Sequence, residues 1–329
     1  MSDSLIIETS YSGNAAQFML LQALNEMDTV NKHCINILDG IKKETSIPTL
    51  QISNIFQDRA AMPVSQGNIN IQRMILAPQD YMVYFTYDPR DFENHYYAEE
   101  LGEKLIDREL PSIAESFILY QLNALINQFN EGQIWRGNVL FAPQNGGLNP
   151  TSIGQIATDS QYQYFNGLIN LLLNDGTTLL VPGATTITSS NILATMNTCL
   201  SYVPQALISR KGASGIKFLM SINTKLIYDQ ALTSNTFKDN FTTASAVEMY
   251  KGYEVKSLFG LPDNTIVVAL ATEDQDAAFW LGLNSKEDST SVLMQRVVPA
   301  SELFFIKLLF KACVNFSWAD QVVLYTTIS

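Results

Sequence analysis

The stretch best suited to phosphate binding is Arg210–Lys217, RKGASGIK, which combines glycines with lysines. A phosphate loop follows a strand and opens a helix, so that backbone N–H groups point at the anion. Here the glycines precede Ile216–Ser221, IKFLMS, whose apolar residues predict a buried strand. Ser214 and Lys217 match an S-x-x-K spacing, but the S-D-N and K-T-G partners of that chemistry are absent from the sequence. The stretch therefore predicts a turn.

The residues that could bind a metal are poorly spaced for it. The only histidines, His33 and His95, are far apart, and His33 is adjacent to Cys34 instead of one helical turn away. The acidic run 273–276 lacks the glycine and terminal glutamate of a calcium loop. No G-x-S-x-G, G-x-G-x-x-G or H-E-x-x-H motif occurs. The sequence thus predicts no catalytic, cofactor-binding or metal-binding residue.

The composition is unusual in its charge. Of the 329 residues 16% are charged, against about 25% in an ordinary globular protein, while Asn and Gln number 44. An amide-rich surface suits a chain covered by other protein; the alternative is a monomer with an unusual surface. The net charge of −12 argues against a protein that binds a nucleic-acid backbone. It would suit a protein surface that lies near DNA without binding it.

The remaining composition indicates a soluble protein made inside the cell. Cys34, Cys199 and Cys313 are scattered and odd in number, so no disulfide framework is predicted. The N-terminal MSDSLIIETSYSGN lacks the basic region of a signal peptide. The apolar stretch Leu303–Val314 contains two lysines and is too short for a membrane span.

The first 90 residues predict a helix followed by extended chain. Residues 14–38 carry apolar side chains at helical spacing without a breaker before Gly40. Residues 47–56 and 68–74 alternate with period 2, and the aromatic run 81–87 predicts a strand. These segments suggest an arm and a hairpin that reach outward.

The rest of the chain predicts a long helix and then a mixed domain. The helix runs from Pro111 to Gly132. Later, residues 251–271 predict two strands joined by a Gly-Pro-Asp-Asn turn, of which the second, 265–271, is apolar enough to be buried on both faces.

The order of these elements resembles the major capsid protein of tailed double-stranded DNA bacteriophages, which has the HK97-like fold. The resemblance covers the chain from about residue 45, and the order and spacing of the motifs carry it. The matching stretches are YMVYFTYDPRDFE running into ELPSIAESFILYQLNALINQF, SNILATMNTCLSYVPQALI followed by IKFLMSINTKLIYDQAL, YKGYEVKSLFGLPDNTIVVALATEDQDAAFWLG, and LFFIKLLFKACVNFSWADQVVLY.

The resemblance implies an α+β fold with an N-terminal arm, an extended β-hairpin (the E-loop), a spine helix, a peripheral domain and an axial domain. The implied boundaries are 1–57 for the N-terminal helix and arm, 58–90 for the hairpin, 91–182 with 286–312 for the peripheral domain and spine helix, and 183–285 with 313–329 for the axial domain. The axial domain would contain the strands of 251–271.

The implied function is assembly of hexamers and pentamers into an icosahedral shell around the genome, in the virion, with synthesis in the cytoplasm of the host bacterium. The expected partners are other copies of the chain, portal, scaffold and decoration proteins, and packaged DNA nearby without specific binding; no membrane is expected. Residues 1–40 are expected to help assembly outside the subunit core. Two alternatives stay open: a bacterial nanocompartment shell enclosing cargo protein, and a cytosolic enzyme.

The hairpin assigned to 58–90 supplies the expected intersubunit contacts. These residues are Arg59, Ile69, Ile71, Arg73, Tyr81, Tyr84 and Arg90. Some relatives join subunits through an isopeptide bond from a hairpin lysine, but no lysine occurs between Lys43 and Lys104. A guanidinium stays protonated and cannot replace that amine, so the arginines are expected to make bidentate contacts with neighbouring carboxylates.

Overall fold

The structure is a computed structural model that describes residues 9–12, 27–53, 55–59, 61–62, 64–88, 112–150, 156–211, 215–234, 248–284, 291–297 and 303–328. The elements of the first part are β1 Thr9–Ser12, α1 Asp28–Asn31, β2 Asn36–Asp39, β3 Thr45–Ser53, β4 Asn68–Leu76, β5 Gln79–Tyr87 and α2 Ser112–Arg136. The later elements are α3 Leu168–Asn174, β6 Leu179–Leu180, α4 Ile192–Tyr202, α5 Gln205–Lys211, β7 Ile216–Met220, α6 Ile222–Ser234, β8 Met249–Tyr250, β9 Tyr253–Ser257, β10 Ile266–Leu270, β11 Phe279–Leu283, β12 Ser291–Arg296, β13 Phe304–Phe316 and β14 Val323–Tyr325. Within this part of the chain, every helix is too short or too polar to cross a membrane.

The longest strand, β13, organises the first sheet. Its early residues pair with β12, its late residues pair with β11, and β5 pairs antiparallel with it from Phe304 to Ala312. β1 joins the sheet through β12, and β2 runs parallel to β11. The sheet therefore gathers strands from both ends of the chain around one C-terminal strand.

The second sheet is buried on both faces. Its strand order is β6-β14-β10-β7-β9-β8, and every residue of β7, β10 and β14 is buried. Leu219 and Val267 face one core cluster, while Phe218 and Ile266 face another. Burial on both faces explains the continuous apolar runs, and it confirms the prediction for 265–271.

The two strands of 251–271 are not a hairpin, contrary to the prediction. β7 lies between them, parallel to β9 and antiparallel to β10. Residues 260–264 connect β9 to β10 as predicted, but the two strands do not pair with each other, because β7 pairs with both. Periodicity predicts strands and cannot by itself predict which strands are neighbours.

The helix predicted over 14–38 is wrong from residue 32 onward, and residues 14–26 lie outside the described residues. α1 ends at Asn31 because His33 adopts a positive φ of 52°. The N–H of Cys34 donates to the carbonyl of Thr29, and the N–H of His33 donates to that of Val30. These two bonds form the common glycine-type helix stop, here with histidine at the left-handed position.

The prediction that residues 1–40 lie outside the subunit core is wrong for residues 27–39. Met27, Cys34 and Ile35 are buried in the largest core cluster. β2 then pairs with β11. Removing this segment would open the core, so residues 27–39 belong to the folded subunit.

The predicted hairpin boundary of 58–90 is also wrong, because the paired strands are β3 and β4, over 45–76. β5 belongs to the first sheet instead. Two elements lie across the expected domain borders: β6 pairs with β14 in the second sheet, and β11 pairs with β13 in the first.

The long helix α2 passes from an exposed surface into the core. It spans Ser112–Arg136, so it begins within one residue of the predicted start at Pro111 but continues past Gly132. A Cβ at Gly132 would lie 2.2 Å from the Tyr162 ring, so glycine here permits close packing and does not end the helix. The last turns, including Glu131 and Trp135, are buried, whereas Tyr120 and Leu125 are exposed.

Candidate assembly surface

The β3–β4 hairpin carries one continuous apolar face. Leu50 lies opposite Ile71, and Ile52 lies opposite Ile69. Directly opposed residues, and residues two apart on a strand, share a face of the hairpin. These four side chains, two on each strand, therefore lie on the same face. We call these four residues the outer face. The same alternation directs the exposed side chains of Asn70 and Gln72 to the opposite face.

The outer face is open to solvent. All four of its side chains are at least half exposed, from 50% for Ile52 to 63% for Ile71. Soluble monomers rarely expose contiguous apolar patches of this kind unless the patch binds something. The outer face is therefore a candidate interaction surface.

The base of the hairpin is fixed to the first sheet through its other face. Met74 and Leu76 are buried in a cluster with Trp280 and Cys313. The side-chain amide of Asn315 also donates to the carbonyl of Ile75 across 2.7 Å. The anchored base and the open outer face give the hairpin the geometry of a projecting arm.

The segment that joins the two strands of the hairpin is apolar as well. Phe56 is 94% exposed, and Ile55, Met62 and Val64 are exposed beside it in sequence. Each of them would gain from burial against another surface. The joining segment therefore extends the apolar character of the outer face.

Four of the seven predicted contact residues are exposed on the hairpin or in the segment that joins its strands, and a fifth is exposed on β5. Ile69 and Ile71 lie on the outer face, and Arg73 and Arg59 are exposed. Tyr84 is exposed on β5, outside the hairpin.

Tyr81 and Arg90 do not join that surface. Tyr81 is buried, its hydroxyl donates to Asn130 Oδ1 across 2.8 Å, and its ring stacks on Tyr164 and Phe310. Burial raises the pKa of Tyr81. Its predicted role as an intersubunit contact is wrong, because Phe310 on the paired strand β13 and the long helix α2 cover it. Arg90 lies outside the described residues.

Leu50, Ile52 and Phe56 are not among the predicted contact residues, because all three fall in the expected arm 1–57 and outside the expected hairpin 58–90. The signal was present in the sequence, since residues 47–56 alternate with period 2 in the same way as 68–74. Pairing two alternating segments across the intervening turn residues would have identified the hairpin.

A second exposed face lies on the β5–β13 ribbon. Met82 is paired with Leu309, and both are about half exposed. One step along the same face, Asp80 Oδ1 lies 3.2 Å from Lys311 Nζ. This ribbon combines an apolar pair with an ion pair, which suits contact with another protein surface.

The groups considered for chemistry have packing roles. Lys217 Nζ donates to the carbonyl of His33 across 2.8 Å. Burial raises the pKa of Cys34 to about 11 and that of Cys199 and Cys313 to about 12, so these thiols are poor nucleophiles. No cluster of metal-ligating side chains occurs in the described part of the chain.

Comparison with known proteins finds no match by sequence. No protein-family model and no curated protein matches this chain. Solved structures do match. The capsid of an empty GTA particle aligns with a TM-score of 0.54 and 9% identity, over 90% of this chain and 88% of that one.

Two further structures of particle shells match over nearly their whole length. The satellite phage P4 procapsid, which includes the size determination protein Sid, aligns with a TM-score of 0.53 and 8% identity, over 94% of this chain and 97% of that one. A virus-like particle from Pyrococcus furiosus aligns with a TM-score of 0.51 and 9% identity, over 94% and 96%. The expected α+β, HK97-like capsid fold is confirmed.

Proposed function

We propose that this chain is the major structural subunit of an icosahedral bacteriophage capsid, which assembles into hexamers and pentamers around double-stranded DNA. The observation that carries the proposal is the apolar outer face of a hairpin whose base is anchored in the fold of known particle shells. An exposed surface of this kind is a liability for a monomer and a contact for a shell subunit.

The contacts we assign to the hairpin combine apolar burial with charge. Leu50, Ile52, Ile69 and Ile71 would pack on a neighbouring copy. Arg59 and Arg73 are exposed nearby and would make bidentate contacts with its carboxylates. Shell stability in this proposal rests on buried apolar area, strand pairing and such charged contacts.

The proposed domains follow the two sheets. The axial domain contains the second sheet, including β6 and β14, with α4 and α6 packed on it. The peripheral domain contains the first sheet with α2 as the spine helix. β11 then belongs to the peripheral domain, which shifts the borders expected from the sequence.

The net charge of −12 supports DNA as the content, because an acidic wall lets packaged DNA lie close without adhering. Portal, scaffold and decoration proteins complete the proposed set of partners, and the virion is the proposed location after synthesis in the host cytoplasm.

The test is the content of native particles. Particles captured from the natural source with an antibody against this chain should retain double-stranded DNA after nuclease treatment. Particles that hold a stoichiometric second protein and no nucleic acid would instead support the nanocompartment alternative. A chain that is recovered only as a monomer would exclude both kinds of shell.

A further inference from the structure

We propose that Glu131 attaches the N-terminal segment 27–35 to the long helix α2, and that protonation of Glu131 stabilises the attached state. The inference concerns a conformational device inside the subunit and stands apart from the content of the particle. It rests on a buried carboxylate that joins three parts of the chain.

Glu131 belongs to α2 and is 1% exposed. Its Oε1 accepts a hydrogen bond from Thr29 Oγ1 across 2.5 Å, and its Oε2 accepts one from the Thr29 backbone N–H across 3.1 Å. Trp135, one helical turn later, donates its indole N–H to the same Thr29 hydroxyl across 2.7 Å. The segment is thus bonded to the helix through one threonine.

The third part is the turn after β9. The backbone N–H of Gly260 also donates to the Glu131 carboxylate. A Cβ at Gly260 would lie 2.3 Å from the Glu131 carbonyl oxygen, so the turn and the helix touch at backbone distance. Glu131 therefore bonds to both the segment and the second sheet's connecting turn.

The segment has its own bonds to the second sheet. Lys32 Nζ donates to the carbonyl of Ser257 across 2.6 Å, and Lys217 Nζ donates to the carbonyl of His33 across 2.8 Å. The Phe259 N–H donates to Asp28 Oδ2 across 3.3 Å. The segment consequently connects α2 to β7 and β9 in addition to the direct contact between α2 and the Gly260 turn.

The charged groups around Glu131 come from each of these elements. The segment brings Asp28, which acts on Glu131 directly, and the Cys34 thiol, on which Glu131 acts. Lys32 of the segment and Lys217 and Lys256 of the second sheet act on Cys34. On α2 itself, Arg136 is paired with Asp159 at 2.9 Å.

Burial raises the pKa of Glu131 to about 7, opposed by the hydrogen bonds from Thr29 and Gly260 and assisted by the negative charge of Asp28. Detaching the segment would expose Glu131 to water and return its pKa toward the ordinary 4.5. The attached state then binds the proton more tightly than the detached state. By linkage, the detachment equilibrium constant should rise roughly 30-fold from pH 5.5 to pH 8.

Cys34 provides a direct measurement, because it is buried inside the segment. Its labelling by an aromatic disulfide reagent, normalised at each pH to a peptide with the same local sequence, reports the fraction detached. Cys199 in α4 and Cys313 in β13 are also buried and serve as internal controls. In the full-length protein, protection of Cys34 should fall roughly 30-fold from pH 5.5 to pH 8. The other two thiols should keep constant protection in native buffer, where local openings that leave Glu131 buried expose them before global unfolding does.

Glu131→Gln keeps the shape of the side chain and removes its titration, so Cys34 protection should become independent of pH. Thr29→Val removes one donor to the carboxylate, so the midpoint of the pH dependence should move upward. The proposal is overturned by flat Cys34 protection in the wild type, by an unchanged pH dependence in Glu131→Gln, or by parallel changes at all three cysteines. An unmoved midpoint in Thr29→Val overturns it if Glu131→Gln does not fold.

Discussion

Leu50 lies directly opposite Ile71 across the β3–β4 hairpin, and 57% and 63% of these side chains remain exposed. Ile52 and Ile69 repeat the arrangement one step further along. Full burial of such a side chain contributes ~1.5–3 kcal/mol, so covering the exposed half of all four would contribute about 3–6 kcal/mol per hairpin. In the proposed shell every subunit makes this contact, so the contribution is repeated around the particle.

The first prediction concerns the outer face of the hairpin. Ile71→Asp should leave the subunit folded, because Ile71 belongs to none of the core clusters formed by the described residues, but it should weaken assembly. The carboxylate would be buried without a partner in the contact, so we expect the protein concentration needed for assembly to rise at least about tenfold. Light scattering during assembly and circular dichroism of the subunit measure the two effects separately.

Asn70→Asp is the matched control for that variant. It adds the same charge one residue away, on the opposite and exposed face of the hairpin. It should assemble near the wild-type concentration. Equal loss of assembly in both variants would mean that net charge, and not the outer face, controls association.

The second prediction concerns the close approach at Gly260. A Cβ there would meet the Glu131 backbone at 2.3 Å, whereas a Cβ at Gly176 would meet nothing within 4 Å. Gly260→Ala should lower the free energy of unfolding by about 2–3 kcal/mol, since overpacking forces backbone shifts. Gly176→Ala should change it little. Chemical denaturation of both variants compares them, and equal stabilities would disprove the backbone contact.

The third prediction is the pH dependence of global stability that Glu131 causes. Its folded pKa of about 7 lies above the ordinary value of 4.5, so the folded state holds the proton more tightly. Its stabilising effect is complete below about pH 4.5 and is lost as the pH rises to 7, by about 3 kcal/mol in all.

Chemical denaturation across that window, for the wild type and Glu131→Gln, isolates this effect. The stability of the wild type relative to the variant should fall as the pH rises. A difference that stays constant from pH 4.5 to pH 8 would show that Glu131 has an ordinary pKa.

The fourth prediction concerns covalent joining of subunits. The hairpin strands and the residues between them contain no lysine, so the hairpin has no amine to form an isopeptide bond. Mature particles boiled in SDS with reductant should give one band near 36.6 kDa. A ladder of higher oligomers would contradict it.

The sequence predicts the positions of the strands better than it predicts which strands pair with each other. The runs in β7 and β10 are apolar because both faces of the second sheet are buried, and this property is local to each strand. The insertion of β7 between β9 and β10 depends on tertiary pairing, which no local pattern encodes. The helix end at His33 was missed for a different reason, since a left-handed histidine gives no glycine signal.

The assembly surface was only partly predictable. Ile69 and Ile71 stand out by alternation, and the structure places both on the outer face. Tyr81 has the same alternation but is covered by Tyr164 and Phe310, whose positions depend on the fold. Glu131 gave no signal, because an acid near the end of a helix is ordinary in sequence and unusual only when its burial is known.

Self-association of the purified full-length protein is the most direct test of the proposed function. Mass photometry and negative-stain electron microscopy at native salt should show hexamers, pentamers or closed shells in the wild type, and mainly smaller species in Ile71→Asp. A wild-type protein that remains a stable monomer at high concentration would contradict the assignment of this chain as a shell subunit.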